Sequence, residues 1–116
     1  SRTIAGLRSF SEKVILIAGG YDKHIPYDDL GPEICAHVKK LFLGGATGPK
    51  IADAVKAYAE YDETFLPIVD CGDFETAVRA AAADAKAGDK IVVNLEVRDN
   101  AVRPMTRFAQ YVITVK

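Results

Sequence analysis

Residues 14–23 read VILIAGGYDK: an apolar run, a glycine pair, then an aromatic, an acid and a base. An apolar strand that ends in glycine and then presents charge is one way an α/β protein builds a ligand site. In open parallel sheets, ligands bind beyond the carboxyl ends of the strands, where loops and helix N-termini converge. Three segments should meet there: 19–27, 44–48 and 70–73. Glycines in the first two would let a ligand approach the backbone. Thr47 would add a hydroxyl beside the exposed N–H groups of a helix start. Lys23 can pair, as a mobile point charge, with a carboxylate or phosphate; Asp22 can receive an ammonium or fix Lys23. The same residues also read as a solvated turn, and Asp70 and Asp73 as a strand end and a helix cap. On chemistry alone the sequence supports an α/β domain with an anion-binding rim.

Stronger signatures are missing. The doubled glycines are not GxGxxG, and GGATGPK (44–50) lacks the Gly-Lys-Ser/Thr that grips phosphates. No Gly-x-Ser-x-Gly elbow or acidic cluster supplies a nucleophile or a magnesium site, so no residue is assigned a catalytic role. His24 and His37 lie 13 apart without a ligand-spaced partner, which argues against a metal site. Cys35 and Cys71 sit singly in apolar stretches and read as reduced core residues of a cytosolic protein.

The elements that must position the rim emerge from pattern. Residues 3–10 carry Ile4, Leu7 and Phe10 at helical spacing. Val14 to Ala18 is apolar on both faces, as expected of a central parallel strand covered on both sides. Pro26 forbids helix in the loop after it, and Asp28 or Asp29 can cap the second helix. That helix is expected to start near Pro32 and run to about Lys40, with Leu30, Ile34, Cys35 and Val38 on one side. A second strand at 41–45 leads to a helix over 46–61, with Pro49 in its first turn and Ile51, Ala54, Val55 and Tyr58 as its buried stripe. A third strand at 65–72 holds Pro67, which places it towards an edge. Asp73 caps an alanine-rich helix closed by Gly88, and a fourth strand begins at 89. The alternation predicts an α/β, Rossmann-like, mostly parallel sheet with right-handed crossovers and helices on both faces. QYVITVK has strand composition and is expected to end the chain as an antiparallel edge strand; RPMTRFAQYV also reads as a helix start.

Length and charge narrow the function classes. The 116 residues make one domain, 49% hydrophobic and 27% charged, which is ordinary globular composition. A net charge of −1, from 15 basic and 16 acidic residues, gives no basic surplus for nucleic acid or a membrane surface. The longest apolar run is far short of a bilayer span of about 20 residues. A start at Ser1 without Met suggests an excised domain.

The strings RTIAGLRSF (2–10), KVILIAGGYDKHIPYDDLGPEI (13–34), LFLGGATGPKI (41–51) and GDKIVV (88–93) carry a resemblance. Together they resemble the C-terminal domain of the Mur ligases, in the branch that adds D-glutamate to UDP-N-acetylmuramoyl-L-alanine during peptidoglycan assembly in the bacterial cytoplasm. GGYDKHIPY followed by GATGPKI is the most specific part. The resemblance implies ATP-dependent amide synthesis, in which the L-alanyl carboxylate is phosphorylated and the D-glutamate amine attacks the acyl phosphate. It implies that ATP and Mg2+ are held mostly by N-terminal and central ligase domains outside this chain. This chain alone would then be inactive and would bind no cofactor. The lysine of the family's post-strand glycine loop, which pairs with a D-glutamate carboxylate, matches Lys23; Asp22, Tyr21 and Thr47 are weaker carry-overs lining the same cleft.

Two departures accompany the resemblance. After Val93 the chain passes directly into NLEVRDNAVR (94–103), where relatives carry about a dozen further residues, including a serine and a phenylalanine that help hold D-glutamate. The tail PMTRFAQYVITVK (104–116) departs from the family's final helix. The expected organisation is therefore one domain over 1–116 with a deletion near 93–94 and an atypical tail. The alternative is a noncatalytic α/β module derived from the ligase, with its substrate pocket lost.

Overall fold

The computed structural model describes residues 12–20, 30–45, 48–98 and 106–116. Its elements are β1 (Val14–Gly20), α1 (Leu30–His37), β2 (Val38–Gly44), α2 (Gly48–Lys56), β3 (Ile68–Asp70), α3 (Phe74–Asp84), β4 (Lys90–Arg98) and β5 (Thr106–Thr114). They form a five-stranded sheet in the order β3-β2-β1-β4-β5. The first four strands are parallel, and β5 runs antiparallel to β4. The expected α/β architecture, including the antiparallel strand at the C-terminal edge, is the one observed. The helix expected over 3–10 lies outside the described residues.

β1 is apolar throughout because it has no solvent face. Its alternate side chains enter opposite layers, as the two-residue period of a strand requires. Val14, Leu16 and Ala18 pack with Ile34 of α1 and Ile51, Ala52 and Val55 of α2. Ile15 and Ile17 pack with Phe42, Ile91, Val93 and the small side chains Ala77 and Ala81 of α3. The alanine run of α3 thus allows a helix to lie close on the sheet.

Several boundaries differ from expectation: β1 runs on to Gly20 instead of stopping at Ala18, and α1 starts at Leu30, two residues before the expected Pro32. α1 stops at His37, and Val38 opens β2 instead of continuing the helix to Lys40. Val38 comes four residues after Ile34 and shares its core layer, so helical spacing and strand placement both satisfy the pattern. The register against β1 steps from Val14↔Val38 to Ile15↔Lys40, an irregularity that absorbs the abrupt junction. α2 ends at Lys56; Tyr58 lies beyond it, and its hydroxyl donates to Glu60 at 2.7 Å. β3 has only three residues, entered through Pro67, whose carbonyl accepts from the Leu41 N–H at 3.0 Å. α3 ends at Asp84 with Ala85 as its cap, while Gly88, at φ +94°, turns the chain into β4.

Charge gathers at the amino ends of the strands. Lys40 pairs with Asp84 at 2.9 Å and lies 5.3 Å from the centre of the Phe42 ring. Lys90 reaches Glu12 at 3.7 Å. Asp89 accepts from Lys39 Nζ and from the Lys86 N–H, and its carbonyl accepts from Val115 at 2.9 Å, tying the turn before β4 to the residue after β5. Those hydrogen bonds hold the Asp89 carboxyl below the usual range, as the cap bonds do for Asp73. A carboxyl more acidic folded than unfolded contributes stability above its unfolded pKa and loses it as pH falls through the folded value. Thermal stability should therefore decline below about pH 5. Asp89→Asn should lower the melting temperature at neutral pH and shrink that acid decline; an unchanged decline would assign it to other groups.

Candidate functional site

The carboxyl ends of β1, β2 and β3 converge as expected, but the glycines there do a different job. Gly19 of β1 pairs directly with Gly44 of β2. A Cβ on Gly19 would stand 2.5 Å from the Gly44 carbonyl oxygen and 3.1 Å from Phe74 Cδ2. One on Gly44 would stand 2.5 Å from the Asp73 carbonyl and 2.7 Å from Phe74 Cα. The missing side chains admit the first turn of α3 against the strand ends. This corrects the expectation that these two glycines admit a ligand: the space is filled by the chain's own backbone.

The neighbouring loop is stitched to this floor. Cys71 N–H donates to Leu43 O at 2.8 Å, and Gly45 N–H donates to Gly72 O at 3.1 Å. Gly45 and Gly72 adopt φ of +82° and +81°, the left-handed region that glycine enters without a side-chain clash. Asp70 Oδ1 accepts from the Gly72 N–H at 3.1 Å. It also lies 3.6 Å from where a Cβ of Gly48, the first residue of α2, would be. Asp73 caps α3 as expected, accepting from the Thr76 N–H at 2.7 Å and hydroxyl at 3.0 Å.

Electrostatically, the 70–73 stretch of the rim is acidic. Asp70 and Asp73 flank Cys71, whose thiol is pushed up by burial first and then by those two carboxylates. Cys35 and Cys71 are free and half-buried. They pack against core layers on opposite faces of the sheet, so the two cannot bridge. An anionic amino acid approaching the 70–73 stretch meets the carboxylates of Asp70 and Asp73. Lys23, Asp22, Tyr21 and Thr47, the expected site residues, all lie outside the described residues, as does His24. His37 sits in α1, its Nε2 3.4 Å from Glu33. Among the described residues no group of three His, Cys, Asp or Glu side chains is placed to hold a metal ion. Nor is any helix among them long and apolar enough to cross a membrane.

One feature of the rim escaped sequence reasoning. Asn94 is 4% exposed, one step before the Gly19 level on β4, opposite Ala18 of β1 and Gln110 of β5. Its signal was the polar residue that ends the apolar run Ile91–Val93. β4 carries its ladders to both neighbours through Val93 and Asn94 without a break.

No protein-family model matches the chain, but curated proteins do. It is 49% identical over 96 residues to the UDP-N-acetylmuramoylalanine–D-glutamate ligase of Acetivibrio thermocellus, a match covering 81% of this chain and 21% of that protein. The ligase of the same name from Ruminiclostridium cellulolyticum is 46% identical over 96 residues, with the same coverage. That of Clostridium novyi is 40% identical over 111 residues, covering 86% of this chain and 24% of its own. The chain spans about a fifth of the length of the first two relatives. Over about four-fifths of its residues it is a homologue of the C-terminal segment of UDP-N-acetylmuramoylalanine–D-glutamate ligases.

Proposed function

We propose that this chain serves as the D-glutamate-presenting domain of a cytoplasmic ligase that joins D-glutamate to UDP-N-acetylmuramoyl-L-alanine in peptidoglycan assembly. ATP and Mg2+ chemistry falls to ligase domains outside this chain, and the chain alone forms no amide bond. Its own contribution is an ammonium: Lys23 pairs with a D-glutamate carboxylate, with Asp22, Tyr21 and Thr47 lining the same cleft. The observation that carries this reading is the 49% identity to a ligase of that name. One exposed carboxylate–lysine pair contributes only about 0–1 kcal/mol, so binding by the isolated chain is weak.

A second reading, a noncatalytic module with a lost pocket, draws on different observations. The Clostridium novyi match runs over 111 residues yet covers 86% of the 116 here, about 100, so about eleven aligned positions have no counterpart in this chain. That is close to the dozen residues expected to be missing near 93–94, and β4 passes through that point unbroken. Saturation-transfer NMR separates the two. Transfer to D-glutamate that disappears in Lys23→Ala supports the presenting domain; no transfer to D-glutamate supports the module. ADP, offered in parallel, should show no transfer under either reading, and clear transfer would oppose both.

A further inference from the structure

Going beyond that reading, we infer that the Asp89 carboxylate is an acid-sensitive clasp: once protonated, it lets the end of β5 open from β4 while the parallel strands stay folded. Asp89 sits at the amino end of the sheet, where three separate segments meet on it. Its Oδ1 accepts from Lys39 Nζ. Lys39 is the extra residue in the register step from Val14↔Val38 to Ile15↔Lys40. Its Oδ2 accepts from the Lys86 N–H at 2.8 Å, and the Asp89 N–H donates to Lys86 O at 3.0 Å, closing the turn after α3. That turn fastens the end of β5. Gly88 N–H donates to Val115 O at 2.8 Å, and Val115 N–H donates to Asp89 O at 2.9 Å. One carboxylate thus joins the start of β2, the turn before β4 and the end of β5.

β5 is built to open alone. It pairs only with β4, and its Tyr111, Val112 and Ile113 are 61%, 51% and 47% exposed. Backbone hydrogen bonds, with little apolar burial, hold this part of the ladder, and segments of that kind open locally at low free-energy cost. The partly buried Val115 packs against the layer that holds Ile15 and Ile91, and it is anchored at the clasp. The parallel strands differ. Leu16 and Leu41 are fully buried, each on a strand with neighbours on both sides.

The charges that face the carboxylate are the ammonium groups of Lys39 and Lys86. At the same end of the sheet, Lys40 pairs with Asp84 and Lys90 with Glu12. Hydrogen bonds from Lys39 and from the Lys86 N–H hold the Asp89 carboxyl below the usual range. Its contribution is therefore complete above the pKa of the open form and is lost as pH falls through that of the closed form. A protonated carboxyl gives up the ion pair with Lys39 and accepts more weakly from the Lys86 N–H.

Native-state amide exchange of the full chain, corrected at each pH for the intrinsic rate, tests this. The range from about pH 6 to about pH 3 brackets an ordinary aspartate pKa of about 3.9. Across it, protection of the Gly88 and Val115 amides should fall at least about threefold. The amides of Leu16 and Leu41 should keep theirs. Asp89→Asn should weaken protection of Gly88 and Val115 at the upper pH and remove the acid response. Lys39→Gln, which removes the ammonium and keeps the carboxylate, should shrink that response. Protection of Gly88 and Val115 that is flat with pH, a fall in step with Leu16 and Leu41, or an acid response intact in Asp89→Asn would each overturn the proposal.

Discussion

Gly44→Ala should destabilise the protein by about 1–3 kcal/mol, towards the upper end of the overpacking range. The added methyl would stand 2.5 Å from the Asp73 carbonyl and 2.7 Å from Phe74 Cα. These are backbone atoms at the start of α3, so no side-chain rotation relieves the clash. Relief requires lifting α3 off the strand ends, and Ala77 and Ala81, both fully buried, anchor that helix to its core layer. Gly72→Ala makes the informative control. Nothing lies within 4 Å of its Cβ position, but φ is +81°, so its cost is the left-handed backbone penalty alone, about 1–2 kcal/mol. Urea denaturation of the two variants should rank Gly44→Ala as the more destabilised. Equal costs would mean that the helix start yields easily.

Leu16→Ala should cost about 2–5 kcal/mol, from lost transfer energy plus the cavity left behind. Leu16 is fully buried at the centre of β1, paired with Leu41 on one side and Val92 on the other, both fully buried as well. Strands on both sides and helices above leave little room for the site to collapse. Against a total stability of roughly 5–15 kcal/mol for a domain, the loss is large enough to populate unfolded chain at moderate temperature. Phe65→Ala, at a side chain 71% exposed, should stay within about 0.5 kcal/mol. Denaturant midpoints read both.

These two variants also mark what was legible in the sequence. The apolar run at 14–18 announced a strand buried on both faces because nothing else tolerates such continuity, and Asp73 announced a helix start because its carboxylate answers unpaired N–H groups. Val38 misled because a spacing of four from Ile34 fits a helix as well as a helix-to-strand junction. β3 is shorter than its apolar stretch because Phe65 faces solvent and Pro67 donates no hydrogen bond. The glycine pairs were legible as places of close approach, but glycine signals that something comes near and not what. Only the tertiary arrangement shows α3 filling the space above Gly19 and Gly44. Asn94 showed only as a polar end to an apolar run, and its burial depends on strands on both sides. The substrate contact at Lys23 rests on resemblance, because a lysine after a strand is chemically indistinguishable from a solvated turn.

The most direct test of the proposed role observes Lys23 itself. In the 15N-labelled chain, titration with D-glutamate should shift the Lys23 ammonium and the neighbouring 21–29 amides. The amides of Gly19 and Gly44, enclosed by the start of α3, should stay still, and Lys23→Ala should abolish the response. Shifts centred on Asp70 to Asp73 that persist in Lys23→Ala, or no shift at any D-glutamate concentration, would contradict it.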